Sequence, residues 1–309
     1  MAEIARAAVL GATGATGRVL ARELLDRGGD VRVVSRSASN LARDFGRCDA
    51  EQVVADALTA EGCRRAVEGC DVVFDCVGAP LGKFENHLIV TRAALAAAGA
   101  VGARMVLITG YWSNAPSKRP ISAASPARPT NRYSRIRIEQ ERLVREAGGC
   151  AVVLPDFFGP GAGVSVLNDA IKSVLDGRAA LWPGAPTALR DFVYAPDLGR
   201  PIVDLASRDE AFGARWVLAG SGAEKPAALI AQAATGAGVR ARVKRVTPMV
   251  IRLASLARRD IREFKPVYPI YNAPATFDDA ATRALIGDWP VTGYTEALPA
   301  TVAWIRGAR

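Results

Sequence analysis

The stretch Ala-Arg-Ala-Ala-Val-Leu-Gly-Ala-Thr-Gly-Ala-Thr-Gly-Arg, residues 5–18, decides the fold of this chain. It opens with a short apolar run, which is typical of a buried strand. Gly11, Gly14 and Gly17 follow at a spacing of three, and Arg18–Asp26 then has apolar residues at helical intervals. The order predicted for this stretch is therefore strand, tight turn and helix.

Further short apolar runs follow along the chain, and helical stretches separate most of them. Alternating strands and helices of this length predict a parallel sheet with helices on both faces and right-handed crossovers. We therefore expect an α/β fold with a doubly wound Rossmann domain over residues 1–154, whose sheet later strands could complete. A smaller, mainly substrate-binding lobe is expected over residues 155–309. The apolar runs lie at residues 31–34, 52–55, 71–77, 104–109 and 150–154.

The composition is that of an ordinary globular enzyme. The chain has 309 residues, half of them apolar, and a mean hydropathy of +0.11. Its longest alanine-rich stretch is interrupted by Arg92 and Arg104, which argues against a membrane span. No basic-then-apolar leader begins the sequence, so a cytoplasmic location is expected. With one histidine and no Cys-x-x-Cys pair among five cysteines, no metal site is expected.

The chain carries a formal net charge of +9. Its arginines are spread along the sequence, with one denser stretch at Arg240–Arg262 that contains no interleaved aromatic residues. This distribution argues against a nucleic-acid surface and favours either a solvated basic face or a site for an anionic substrate or partner. We expect a small-molecule substrate and possible homodimers, with neither nucleic acid nor membrane as partner.

The glycine-rich turn has the chemistry of a dinucleotide site. Glycine permits a tight turn, lets a pyrophosphate approach the backbone and allows close packing of helix on strand. The N-terminus of the following helix offers free N–H groups and the positive end of its dipole. The predicted phosphate-binding residues are Gly11, Thr13, Gly14, Ala15, Thr16 and Gly17.

The residue after the second predicted strand indicates which dinucleotide is bound. An acidic residue there would accept a hydrogen bond from the ribose 2′-hydroxyl of NAD, whereas arginine can pair with the 2′-phosphate of NADP. The chain has Arg36 at this position, between two serines. NADP(H) is therefore predicted, with Arg18 as a possible second cation, although an exposed and uninvolved Arg36 is the alternative.

With these motifs the chain resembles the extended and atypical short-chain dehydrogenase/reductases, the NAD(P)-dependent epimerase/dehydratase-like proteins. The resemblance implies that Asp56 lies near the adenine and that Val77 and Gly78 lie near the adenosine ribose. It rests on Gly11–Arg18, Ala55-Asp56, Val77-Gly78-Ala79, Phe157–Gly161 and Arg190–Asp197.

The resemblance also implies a catalytic tyrosine, because the family uses a Tyr-x-x-x-Lys pair to move a proton at a substrate oxygen. Here Tyr133 and Arg137 occupy these places. A guanidinium keeps the positive charge and can hydrogen-bond a nicotinamide ribose, but it does not exchange protons near neutral pH. Arg137 is thus expected to contribute both to catalysis and to cofactor binding.

Other candidate catalytic groups follow the fifth and sixth strands. The family's Ser or Thr hydroxyl polarises the substrate carbonyl; counting from the strand puts Tyr111 closest to its position, with Thr109 before it. Asp156 is either a salt-bridge partner for Arg137 or an acid/base group.

His87 is interpreted as a helix-start or surface residue. Five aromatic residues are expected either to line a hydrophobic pocket or to belong to the core: Trp112, Phe157, Phe158, Trp182 and Tyr194.

The function expected from the sequence is an NADPH-dependent oxidoreductase that reduces a C=O, C=C or C=N bond of a small apolar or aromatic metabolite. One alternative is an epimerase or dehydratase that recycles its cofactor. The other is a non-catalytic protein that senses NADP(H), which the change from Lys to Arg at position 137 and the basic stretch at Arg240–Arg262 would suit.

Overall fold

The computed structural model describes residues 4–80, 82–257 and 259–307. The strands of these residues are β1 (Arg6–Leu10), β2 (Asp30–Ser35), β3 (Glu51–Val54), β4 (Val72–Asp75), β5 (Arg104–Gly110), β6 (Cys150–Leu154), β7 (Asp156–Phe158), β8 (Ala180–Pro183), β9 (Arg190–Tyr194), β10 (Arg215–Val217), β11 (Ala223–Glu224) and β12 (Val243–Val246). The helices are α1 (Ala15–Asp26), α2 (Ala38–Phe45), α3 (Ala60–Val67), α4 (Glu85–Val101), α5 (Arg132–Glu146), α6 (Val166–Leu175), α7 (Gly199–Ala206), α8 (Pro226–Gly236), α9 (Pro248–Ala257), α10 (Arg259–Phe264), α11 (Ala280–Ile286) and α12 (Tyr294–Gly307).

The central sheet has seven strands in the order β10-β6-β5-β4-β1-β2-β3. Every neighbouring pair in it is parallel. The chain runs outward from β1 to β3 and then crosses back to β4, so the direction of winding reverses between β1 and β4. At such a switch point the carboxyl ends of the strands leave a crevice for a ligand. The predicted Rossmann fold is confirmed.

The two faces of the sheet have separate cores, because successive side chains of a strand point to opposite faces. In β1, Ala7 and Val9 face a core that includes residues of α1 and α7. Ala8 and Leu10 face a second core formed with α3, α4 and α5. Helices therefore cover both faces, as the apolar pattern predicted.

The second half of the chain both completes the main sheet and builds a smaller unit beside it. β10 pairs with β6 as the edge strand of the main sheet. The remaining late strands form two small sheets, β11-β9-β7 and β12-β8. With α6, α8 and α12 they enclose another core, in which Trp182 and Phe192 are fully buried. Among the described residues, no helix is both long and apolar enough to cross a bilayer.

Close packing of α1 on the turn after β1 demands glycine at position 17. A Cβ atom there would lie 2.4 Å from the carbonyl oxygen of Gly11 and 2.9 Å from the Cα of Ala12. Both neighbours are backbone atoms and cannot swing aside. We therefore predict that Gly17→Ala lowers the free energy of unfolding by about 1–3 kcal/mol, the usual cost of overpacking.

Gly99→Ala is the matched control, because Gly99 lies inside α4 with nothing within 4 Å of its would-be Cβ. Removing a helix-interior glycine should raise the free energy of unfolding by up to about 1 kcal/mol. Urea unfolding of both variants measures the two effects. Equal effects of the same sign would contradict the packing argument.

Candidate active site

The glycine-rich turn forms a cradle between β1 and α1. Gly11 adopts a φ of +73°, and a Cβ there would lie 3.0 Å from the backbone oxygen of Cys76. Gly14 is the N-cap of α1 and supplies no side chain to cap it. The first N–H groups of the helix therefore remain available to an anion such as a pyrophosphate.

A cleft of about 380 Å³ opens at the carboxyl ends of the strands around the switch point. Of the residues predicted to bind the cofactor, the structure brings seven to this cleft: Gly11, Thr13, Gly14, Arg36, Asp56, Val77 and Gly78. Ala15, Thr16 and Gly17 lie behind them in the first turn of α1. Lys83 and Asn86 also line the cleft. They were not predicted, because they belong to no recognised motif.

A second pocket, of about 290 Å³, shares Arg36 and Asp56 with the cleft. Its other wall is formed by α3, which contributes Arg65 and Glu61. Arg18, considered as a second cation, is instead paired with Asp44, at 3.2 Å. The second basic residue that lines this pocket is Arg65.

Arg137 is buried and does not line the cleft. Its guanidinium donates four hydrogen bonds, all to uncharged acceptors in the interior. The acceptors are Thr109 Oγ1 at 2.9 Å, His87 Nδ1 at 2.9 Å, Gln140 Oε1 at 2.7 Å and the carbonyl oxygen of Ile108 at 2.9 Å. These bonds use four of its five N–H groups, so only the second N–H of Nη2 is left for the ribose contact expected of Arg137.

His87 stands in the first turn of α4, as expected, but it is buried rather than at the surface. Burial and, after it, the positive charge of Arg137 lower the pKa of His87 to about 2. The ring is therefore neutral. Since Nδ1 accepts from Arg137, the proton resides on Nε2.

The hydrogen bonds of Arg137 continue toward the cofactor cleft. Gln140 donates from Nε2 to Thr91 Oγ1, at 2.6 Å, and Thr91 donates to Asp75 Oδ2, at 3.1 Å. Asp75 accepts the backbone N–H of Val77 through its other oxygen. Burial raises the pKa of Asp75. The chain of bonds thus links Arg137 to the loop that lines the cleft, through residues that no sequence motif singled out.

Tyr133 lies one turn before Arg137 at the start of α5. Asn131 and Ser134 form a reciprocal capping box that fixes this start. The half-buried ring of Tyr133 contacts three aromatic rings edge-on, with centroid distances of 4.9 Å to Phe84, 5.1 Å to Trp112 and 5.9 Å to His87. Within the described residues no group hydrogen-bonds its hydroxyl, which leaves that hydroxyl available to a ligand.

Tyr111 and Asp156 belong to a different cluster, built around the buried Arg190. Tyr111 donates to Asp156 Oδ2 at 3.0 Å, and Arg190 pairs with the same oxygen at 3.1 Å. Arg190 also donates to Tyr111 and lies over the ring of Tyr271, 4.5 Å from its centroid. Burial raises the pKa of the Tyr111 phenol.

This cluster corrects two expectations. Asp156 does not pair with Arg137, because Arg190 reaches it from β9. Tyr111 is almost fully buried and its hydroxyl is already bonded, so it is not free to give a proton to a substrate. Asp156 keeps a partly exposed side chain. Thr109, the remaining hydroxyl candidate, accepts from Arg137 within the interior.

The five aromatic residues considered for a pocket wall divide between core and site. Phe158 and Trp182 are fully buried and Tyr194 is nearly so, which places them in the core of the smaller unit. Trp112 is only partly buried, and its ring contacts that of Tyr133, a candidate catalytic residue. Phe157 packs against the main core.

Comparison with solved structures shows the same fold over nearly the whole chain. The UDP-glucuronic acid 4-epimerase of Bacillus cereus, in complex with NAD, has a TM-score of 0.80 at 16% identity, covering 98% of this chain and 99% of that one. MoeE5, in complex with UDP-glucuronic acid and NAD, has a TM-score of 0.80 at 20% identity, with coverage of 98% and 99%. A nucleoside-diphosphate-sugar epimerase of Pseudomonas aeruginosa has a TM-score of 0.79 at 20% identity and 98% coverage of both chains.

Sequence comparison identifies the family. A search of curated proteins gives no match. The model of the family described as "NAD dependent epimerase/dehydratase family" matches residues 7–219, well over half of the chain. This match agrees with the resemblance carried by the sequence motifs and with the observed strand order. The chain is therefore a member of the NAD-dependent epimerase/dehydratase family.

Proposed function

We propose that this protein is an enzyme that binds a nicotinamide dinucleotide in the cleft and acts as an epimerase or dehydratase on a small molecule. The observation that carries the proposal is the gathering of seven predicted cofactor residues at the switch point of a chain in this family. The sequence alone favoured a net reductase, with an epimerase or dehydratase as the alternative. The proposal now favours the epimerase or dehydratase.

The residues of the cleft fit such a cofactor. Gly11 lets the turn pack closely on the backbone of Cys76 and Val77, and the N-terminus of α1 has no capping side chain. These features suit a pyrophosphate. A bound nicotinamide would take up a hydride from a substrate carbon and could return it.

The dinucleotide proposed is NADP(H). Arg36 and Arg65 line the pocket beside the adenosine end of the cleft, together with the carboxylates Asp56 and Glu61. Two guanidiniums can pair with the oxygens of a 2′-phosphate, which a ribose hydroxyl cannot match. The Bacillus cereus epimerase and MoeE5 were solved with NAD, so the test must compare both cofactors.

Tyr133 is the residue proposed to move the proton. Its hydroxyl is available, and the rings of Phe84 and Trp112 hold it in place. Arg137 is proposed as a positioning residue: it hydrogen-bonds the end of β5 and the ring of His87, which lies beside the Tyr133 ring.

The substrate proposed is a small molecule with a ring and a secondary hydroxyl or carbonyl group. Trp112 and Tyr133 offer an aromatic surface on which such a ring can pack. Two of the solved relatives were determined with sugar nucleotides. Nucleotide sugars therefore head the panel of compounds to be tested, followed by carbonyl and enone compounds.

Cofactor consumption distinguishes the candidate functions. An epimerase or dehydratase should convert many equivalents of substrate with a trace of cofactor. The second candidate, a net reductase favoured by the Arg36–Arg65 pocket, should oxidise one NADPH for each product. Absorbance of NADPH and chromatography of the products measure both quantities. Dinucleotide binding without turnover of any compound would favour the sensing role.

We predict that Arg36→Ala and Arg65→Ala each weaken NADPH binding by about 10- to 100-fold, because one charge-assisted hydrogen bond is lost. NADH binding should not change. Arg47→Ala, at an exposed arginine outside both pockets, is the control. Calorimetric titration with each cofactor gives the affinities. An Arg36→Ala variant with unchanged NADPH preference would disprove the cofactor assignment.

We predict that Tyr133→Phe lowers turnover by about 10²–10⁴-fold, because the proton-transferring hydroxyl is lost. Its affinity for the cofactor should stay the same. Tyr268→Phe is the control, since Tyr268 is a buried tyrosine that bonds the backbone of β12. Unchanged turnover of Tyr133→Phe would transfer the proton-moving role to Asp156.

We predict that His87, the only histidine of the chain, shows no titration between pH 5 and 8 in NMR spectra. Because its folded pKa lies below the unfolded value of about 6.5, its contribution to stability is complete above that pH and declines as the pH falls below it. Arg137→Met should raise the pKa of His87 while leaving it below 6.5, since burial is the larger cause.

The pH dependence of His87→Gln is the comparison for this prediction. Its free energy of unfolding should fall less steeply than that of the wild type between about pH 6.5 and pH 4. A wild-type ring that titrates near pH 6.5 would show that His87 is solvated and that the buried network is not formed.

A further inference from the structure

Helix α9 presents an apolar stripe to solvent. The helix packs on the protein through Ile251 and Ser255. On the rest of its surface, four large apolar side chains are each more than half exposed: Met249, Val250, Leu253 and Leu256. We call these four residues the α9 stripe. Positions 249, 253 and 256 follow each other at intervals of four and three, so they share one face of the helix.

The segment around the α9 stripe carries most of the net charge of the chain. Residues 240–265 include nine Lys or Arg and two Asp or Glu, a net charge of +7 out of +9 for the whole chain. Five of these basic residues before and within α9 are exposed: Arg240, Arg242, Lys244, Arg245 and Arg252. The stripe therefore lies within a strongly cationic surface segment.

We propose that the α9 stripe docks this protein on the surface of an anionic lipid membrane. A helix with an exposed apolar face and flanking basic residues is the usual form of an interfacial membrane helix. The apolar side chains would enter the boundary between head groups and acyl chains. The surrounding lysines and arginines would contact the anionic head groups.

Other occupants fit this surface less well. A second copy of the chain would bring another +7 against the same segment, so like charges would oppose the contact. A stable protein partner needs about 800 Å² on each side, whereas a ten-residue helix is only about 15 Å long. Nucleic acid would require basic rather than aliphatic residues at the outermost positions.

The sequence-based expectation of no membrane partner rested on the lack of a spanning segment. The described helices also lack one. Peripheral docking needs no spanning segment, however, because the helix lies in the plane of the interface. Of the two interpretations given for the basic stretch at Arg240–Arg262, a solvated face or a site for an anionic substrate or partner, the proposal adopts the second.

Sedimentation with lipid vesicles tests the proposal. The full chain should bind vesicles that contain phosphatidylserine and phosphatidylcholine, and should not bind phosphatidylcholine alone. Added salt should weaken the binding, because the head-group contacts are screened. No binding to the mixed vesicles at low salt would overturn the proposal.

Substitutions separate the apolar from the electrostatic contribution. Leu253→Glu with Leu256→Glu should lower the partition coefficient at least about tenfold. Two apolar side chains that would enter the membrane are lost, and two negative charges are added. Arg242→Glu with Lys244→Glu should weaken binding to the mixed vesicles by a similar factor. Val164→Glu is the matched control, because Val164 is 88% exposed and lies outside the segment. Its binding should equal that of the wild type.

Two further measurements check that the variants are folded and that the stripe does not bind a second copy of the chain. Thermal midpoints of the variants should match the wild type, since all the substituted side chains are exposed. Vesicle binding that survives the double leucine substitution would overturn the proposal of an inserted stripe. Sedimentation velocity without lipid gives the oligomeric state; a dimer that the same substitution converts to monomers would assign the stripe to a second copy instead.

Discussion

The guanidinium of Arg137 is the interaction on which the geometry of the site depends. Its hydrogen bonds join β5, through Thr109 and Ile108, to α4, through His87, and to α5, where Arg137 and Gln140 stand. A buried charge without a paired carboxylate is tolerated only while its hydrogen bonds are kept. The three elements that surround the candidate site are therefore held in one arrangement, and the other side chains of the site take their positions from it.

The parts of the fold that the sequence predicted are those with local or repetitive signals. The turn at Gly11–Gly17 follows from glycine spacing, and the strands follow from apolar runs. The cofactor residues gather in one cleft because the carboxyl ends of parallel strands share an edge of the sheet. Asp75 and the pairing of Asp156 with Arg190 had no such signal. Partners so far apart along the chain are selected by burial and charge, which a spacing pattern does not encode.

Tyr111 shows why counting along a strand does not place a side chain. β5 ends at Gly110, and a 3₁₀ turn begins at Tyr111. This turn directs the phenol inward toward Arg190, whereas continuation of the strand would have kept the alternation of faces. The sequence predicts only that a hydroxyl group lies near the end of this strand. It could not supply the backbone direction that decides which hydroxyl faces a ligand.

The edge strand β10 is synthesised well after β6, the strand whose outer edge it covers. All five residues of β6 are buried, but the partner on its outer edge emerges from the ribosome only about 60 residues later. At synthesis rates of about 5–20 residues per second, that edge stays open for several seconds. An unpaired apolar strand is a template for aggregation during this interval. The N-terminal half is accordingly a poor candidate for transplantation as an independent module, because a recombinant fragment that ends at Leu154 would keep this edge open permanently.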